Sequence, residues 1–280
     1  MEQNIAAGLS RNGSEPLTAA ASASGSRALA HVDGWKVNIA TGAEAVAAVV
    51  DAARHGENAS LFTLNLDHLV KLRTNRAFAR AYERARFVTA DGAPVVHLAR
   101  SQSAAIERTT GADLVLPLAD AAARMNLPVY LFGSSNAVLG EAGRRLAANT
   151  NGALSIAGSE APPMGFDPAG AEADKALHRI AASSARICFV ALGAPKQEIF
   201  AARAADLGIP VVFVCIGAAL DFIAGAQIRA PGFMQRSGLE WLWRLATNPR
   251  RLATRYAQCA VLYAELALLP RRTSPSATND

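Results

Sequence analysis

Ile187-Cys188-Phe189-Val190-Ala191-Leu192-Gly193-Ala194-Pro195-Lys196-Gln197-Glu198 is the stretch that decides the fold. Six apolar residues form a strand buried on both faces, and Gly193 and Pro195 enforce a turn. Three polar side chains then appear together before a helix opens. In an open α/β sheet, the carboxyl end of a strand is where ligands sit. A second such end lies upstream, where Phe87-Val88-Thr89-Ala90 leads into Asp91-Gly92-Ala93-Pro94. Two strand ends, each with a turn residue and a functional group, predict one shared crevice.

Working outward, apolar runs at 60–65, 86–90, 128–133, 153–157 and 210–216 repeat the pattern of 186–192. Helical patterns fill 42–55, 67–84, 93–102, 111–126, 135–149, 169–183, 195–207 and 218–224. Strands alternating with helices of this length predict right-handed crossovers and an α/β fold with a mostly parallel sheet. At 280 residues, 51% apolar and 18% charged, the chain can bury the core that such a sheet needs. The expected organisation is a disordered leader over 1–30, the α/β domain over 31–231, a helical appendage over 232–272 and a disordered tail over 273–280.

Charge separates the appendage from the rest. Residues 226–280 hold eight Arg against Glu240, Glu265 and Asp280, leaving 20 basic and 20 acidic residues elsewhere. The whole excess of +5 therefore sits in one segment, which should meet something anionic. Two of three Trp and two of four Tyr fall there beside leucine stripes, the pattern of a basic amphipathic helix. The plainer reading is a C-terminal helix docked on the core with solvated arginines. A module that binds nucleic acid through the basic segment is the rival functional class. No apolar run reaches bilayer length, no signal-peptide pattern opens the chain, and Cys188, Cys215 and Cys259 show neither disulfide nor metal spacing. These point to a cytoplasmic setting.

Several chemistries are excluded. The chain has no Gly-x-Gly, no P-loop Gly-Lys pair, no His-Glu-x-x-His and no Asp-x-Asp to hold a metal on a nucleotide-sugar diphosphate. No metal and no cofactor is expected. Asp91 stands at a crevice mouth, where a carboxylate can act as general base, or it caps the following helix. Thr63 and Asn65, two apart at a strand end, share a face that can hydrogen-bond a sugar or base, with Asn65 as a cap the alternative. Gly133-Ser134 opens a helix whose backbone N–H groups can hold phosphate, as ordinary βα loops also do. Lys196 can neutralise a diphosphate and Gln197 can orient a uracil or sugar hydroxyl. Glu198 fits a helix first turn equally well. Gly217, Asp221 and Gly225 mark another strand end where a backbone approaches closely.

These strand ends, in this order, resemble the WecG/TagA/CpsF glycosyltransferases. The matching segments are Thr63-Leu64-Asn65, Asp91-Gly92-Ala93-Pro94, Glu107-Arg108 with Gly111-Ala112-Asp113, and Leu131-Phe132-Gly133. They continue with Gly193 to Glu198, Gly217-Ala218, Asp221-Phe222, Arg229-Ala230-Pro231, Gly238 to Leu245, Pro249-Arg250-Arg251 and Arg255-Tyr256. The resemblance covers about residues 32–260. It implies a single Rossmann-like domain and inverting, metal-independent transfer of a sugar from a UDP-sugar to a polyprenyl-diphosphate-linked glycan in surface-polysaccharide synthesis. By that match Asp91 is the base and Thr63 orients substrate. Asn65, Gly92, Arg108, Gly133, Ser134, Gly193, Pro195, Lys196, Gln197, Glu198, Gly217, Asp221 and Arg229 line the substrate site. Trp241, Arg244, Arg250, Arg251 and Arg255 meet the acceptor diphosphate or an anionic membrane surface, on the inner face of the cell membrane. Nucleic acid is not an expected partner, and a homo-oligomer is compatible with the match.

Overall fold

The computed structural model describes residues 27–236, 240–247 and 249–268, with backbone alone at Gln235, Arg236, Arg244, Thr247 and Arg251. The tail expected over 273–280 and all but the end of the leader expected over 1–30 lie outside the described residues.

The described residues open with a hairpin, β1 (Ala30–Val32) and β2 (Trp35–Val37), in which Ala30 pairs with Val37. Asp33 and Gly34 turn it with φ of 51° and 83°, the pair of positive dihedrals that a two-residue hairpin needs. The Asp-Gly signal was present in the sequence, but three-residue strands show too little alternation to be read as strands. The chain then runs α1 (Gly42–Arg54), β3 (Ala59–Leu64), α2 (Leu66–Leu72), α3 (Arg76–Arg84), β4 (Phe87–Ala90), α4 (Ala93–Arg100), α5 (Gly111–Arg124) and β5 (Val129–Gly133). It continues through α6 (Asn136–Asn149), β6 (Ile156–Glu160), α7 (Ala171–Ala182), β7 (Ile187–Ala191), α8 (Lys196–Asp206), β8 (Val212–Cys215) and α9 (Ala219–Ala224).

Strands β3 to β8 form one six-stranded sheet in the order β4-β3-β8-β7-β5-β6, with every neighbour parallel. Helices cover both faces, so the period of two along each strand feeds two cores. Phe62, Leu64, Phe132, Val190 and Phe213 point to one, with Phe78, Tyr82 and Phe200 from the helices. Leu61, Leu131, Phe189 and Val214 point to the other, with Val49, Leu118 and Leu139. The outer edge of β4 is closed by the Asn38 amide, which donates to Arg86 O and accepts from Val88 N, both at 2.7 Å. With the Asn38 and Ile39 N–H groups, which also donate to Val88 O, this side chain does the work of a strand and removes a sticky edge.

Two expected elements differ. The helix read over 67–84 is two helices, because Asn75 caps the second by accepting from Phe78 N at 3.0 Å. The strand read over 153–157 is shifted to Ile156–Glu160, because a turn through Asn151 and Gly152, with φ of 52° and 79°, uses up the preceding residues.

The topology makes the crevice. Loops leaving β3 and β7 lead to α2 and α8 on one face, whereas loops leaving β5 and β8 lead to α6 and α9 on the other. Adjacent strand ends therefore diverge, the arrangement in which open α/β sheets form a groove along the carboxyl edge. Gly133, with φ of 118°, lets β5 pass beside β7: a Cβ there would sit 2.4 Å from Ala191 O. Gly133→Ala is expected to lower the urea midpoint with m unchanged, at a cost of order 1–3 kcal/mol from backbone strain.

Three more helices close the described chain: α10 (Gly232–Arg236), α11 (Glu240–Thr247) and α12 (Pro249–Leu268). The distal part of α12 is docked, with Cys259 and Leu262 buried. Tyr263 lies edge-on to His97 of α4, and Glu265 pairs with Arg73 at 2.8 Å. The plainer sequence reading therefore describes this half of the helix. Among the described residues, no helix is long and apolar enough to cross a membrane.

Candidate active site

The β4, β3 and β8 ends carry the first group of candidate residues side by side. Asp91 follows β4, and its N–H donates to Leu64 O at 2.8 Å. The cap of α4 is Gly92, with φ of 86°, so Asp91 stands one residue outside the helix. Asn65 follows β3 and does two things. Its Oδ1 accepts from His68 N at 3.0 Å, capping α2, and its Nδ2 reaches Asp91 Oδ2 at 3.5 Å. The capping set out as one alternative by the sequence is present, and the same side chain also reaches Asp91. Thr63 is buried within β3, in register with Thr89.

The turn after β7 contributes the next group. Gly193 has φ of 70°, and the Ala194–Pro195 peptide is cis. Gln197 accepts from the Gly217 N–H at 3.0 Å, which ties this turn to the end of β8. Asp91, Asn65, Gly217 and Gln197 thus lie on one edge of the sheet. The Lys196 ammonium donates to Phe166 O at 2.9 Å and pins the Pro/Gly-rich loop. Glu198 is fully buried rather than in the groove.

Ser134 and Asp221 join the β5 and β8 ends, with Ser134 Oγ donating to Asp221 Oδ1 at 3.2 Å. A third cluster sits where α5 begins. Gly111 presses against β8 so closely that a Cβ would meet Ile216 Cα at 2.7 Å. Asp113 in the same first turn pairs with Arg229 at 2.6 Å and Arg108 at 3.2 Å. Burial pushes the Asp113 carboxyl up, but its hydrogen bond and charge contact with Arg229, with help from Thr110 and Arg108, outweigh it and lower the pKa. Behind this cluster is a cavity of about 480 Å³ that reaches Arg108 and Asp113 but none of Asp91, Asn65 or Gln197.

Beside the groove, Asp67 of α2 pairs with Lys71 at 2.6 Å and with Arg255 of α12 at 2.7 Å. Lys71 also donates to Ala194 O at 3.1 Å, so α12 is linked through α2 to the turn after β7. The three groups together leave one positive charge at this corner. Asp67 and Lys71 were missed as site neighbours because an i, i+4 pair in a helix reads as ordinary surface support. Nearby, Trp241 lies edge-on to Tyr256 at 5.8 Å and remains 44% exposed. Arg250 is exposed, and the side chains of Arg244 and Arg251 lie outside the described residues.

The model of the glycosyl transferase WecG/TagA/CpsF family matches residues 30–276. The chain belongs to that family. WecG/TagA/CpsF proteins are glycosyltransferases of polysaccharide biosynthesis, which implies a sugar donor and a glycan acceptor. A glycosyltransferase site needs a group to accept the acceptor's proton and groups to receive a departing phosphate, and this sheet edge offers both kinds.

Beneath the groove lies a buried polar chain that the sequence did not announce. Glu198 Oε1 accepts from Gln197 Nε2 at 2.8 Å and faces His68 Nε2 at 4.0 Å. His68 Nδ1 in turn meets Tyr82 Oη at 2.7 Å. Burial raises the Glu198 pKa to about 7 and lowers that of His68 to about 3, so both are neutral in mildly acidic solution. A lone histidine on an apolar helix face gave no signal by itself.

Proposed function

We propose that this chain is an inverting glycosyltransferase that moves a sugar from a UDP-sugar to a polyprenyl-diphosphate-linked glycan without a metal. The reading rests above all on the sharing of one sheet edge by Asp91, Asn65, Gln197 and Gly217. Asp91 takes the proton of the acceptor hydroxyl as its oxygen attacks the anomeric carbon opposite UDP. The carbon–oxygen bond to the diphosphate breaks, its electron pair leaves with UDP, and the sugar's configuration inverts. Asn65 steadies the Asp91 carboxylate, and Gln197 contacts the donor. In this reading backbone N–H groups at the strand ends receive the negative charge that develops on UDP, and Arg108, Arg229 and Lys196, held by Asp113 and Phe166 before the donor binds, turn to it.

A lipid-linked acceptor stays at the bilayer, so the enzyme goes to it. The core over 31–231 then carries the chemistry and the segment 232–272 the membrane contact. Exposed Phe233, Trp241, Leu242 and Val261 supply apolar contact beside Arg250 and Arg255. Each basic residue near an anionic surface adds about 1 kcal/mol. Arg255 meets the acceptor diphosphate from its place beside Asp67.

Thermal melting with UDP, NAD and RNA tests the donor class. UDP at about 100 times its Kd should stabilise by about 2.7 kcal/mol, with NAD and RNA producing no shift. Protection by RNA that falls steeply with salt, without protection by UDP, would overturn the reading.

A further inference from the structure

We infer that Glu198 is a positioning residue, a buried carboxyl that locks the Gln197 amide across the ends of β7 and β8. The inference rests on Gln197 being a donor contact, as proposed above.

A glutamine amide can flip end for end, exchanging donor and acceptor. At Gln197 both ends are committed. Nε2 gives one N–H to Glu198, and Oε1 takes the Gly217 N–H. One N–H and one lone pair are left over, and their placement is set by the other two bonds. Gln197 is only 3% exposed, so little water is at hand to replace the acceptor if Glu198 is removed. Its unpaired N–H would then favour another rotamer and release Gly217.

Glu198 itself does not reach the groove. Its Oε2 is buried and bonds to nothing among the described residues, a cost that packing alone does not explain. Around it stand His68, Asp67 and Lys71 of α2, Tyr82 of α3 and Cys215 of β8. None of these hydrogen-bonds to Oε2. The arrangement makes sense if the carboxyl is retained for its acceptor on Gln197.

The test is a kinetic cycle on the full chain with Gln197→Ala, Glu198→Leu, Glu198→Ala, each double variant, and Glu198→Gln. Gln197→Ala and the Glu198 truncations should each raise the donor KM about 10-fold, with kcat changed less. Either double variant should be no worse than Gln197→Ala, because coupled residues are not additive. Glu198→Gln keeps a carbonyl facing Gln197 and should recover KM to within about 3-fold of wild type, as conservation of that one bond requires. Multiplying losses, a wild-type KM in the truncations, or failure of both truncations to fold would overturn the inference. A wild-type KM in Gln197→Ala would instead sink the donor reading of Gln197, and the inference with it.

Discussion

Asp91→Asn should fold as the wild type does and lose ~10²–10⁴-fold in kcat, the span expected when a positioned base is removed. The two side chains have the same shape, and Asn retains an oxygen for the Asn65 amide that now lies 3.5 Å from Asp91 Oδ2. Stability should hold, because α4 is capped at Gly92 and does not depend on the Asp91 carboxylate as its cap residue. UDP protection in thermal melting should also hold, since the base acts on the acceptor hydroxyl. The separation of effects is the test: a folded variant that binds UDP but does not transfer. Near-full turnover would mean that another group accepts the proton.

The second large effect concerns stability against pH. In the folded protein Glu198 keeps its proton up to about pH 7, whereas the ordinary value is 4.5. Between those values the folded state binds a proton that the unfolded chain has released. Stability from this group therefore falls as pH rises, by about 1.4 kcal/mol per unit and about 3 kcal/mol in total. His68 works in the other direction. Its pKa drops from 6.5 to about 3, so the unfolded chain binds the extra proton and stability rises with pH across that window. In the wild type the two slopes oppose each other between about pH 4.5 and 6.5. Glu198→Gln removes the falling one. Urea titrations at a series of pH values should show the variant gaining about 3 kcal/mol relative to wild type from pH 4.5 to 7. Parallel curves would mean that Glu198 is ionised in the folded protein.

The strands were legible in the sequence for a physical reason. A parallel strand covered on both faces must be apolar at every position, and Ile187–Ala191 and Ala59–Leu64 are buried throughout. The turns that end them require Gly193 and Gly92, whose φ values are 70° and 86°. The split at Asn75 and the hairpin at Asp33-Gly34 were less visible, since a cap inside a helical period and a three-residue strand leave little pattern. Of the candidate site, Asp91, Asn65 and Gln197 could be picked out because polar residues at buried strand ends are unusual. His68, Tyr82 and Asp67 could not, because each looks like an ordinary helix residue until its partner is known.

What the sequence determined alone is local: which segments are strands, where each one ends, and which polar groups stand at those ends. Those follow from burial period and turn chemistry, which act between residues close along the chain. What only the tertiary structure decided is pairing. The order β4-β3-β8-β7-β5-β6 placed Asp91 beside Asn65 and set Gln197 against Gly217. Packing of α2 and α8 on the same face put His68 against Glu198 and moved two pKa values in opposite directions. Docking of α12 gave Arg255 to Asp67. Each partner lies far away in sequence, and only burial in one shared core brings such groups within hydrogen-bonding or charge range.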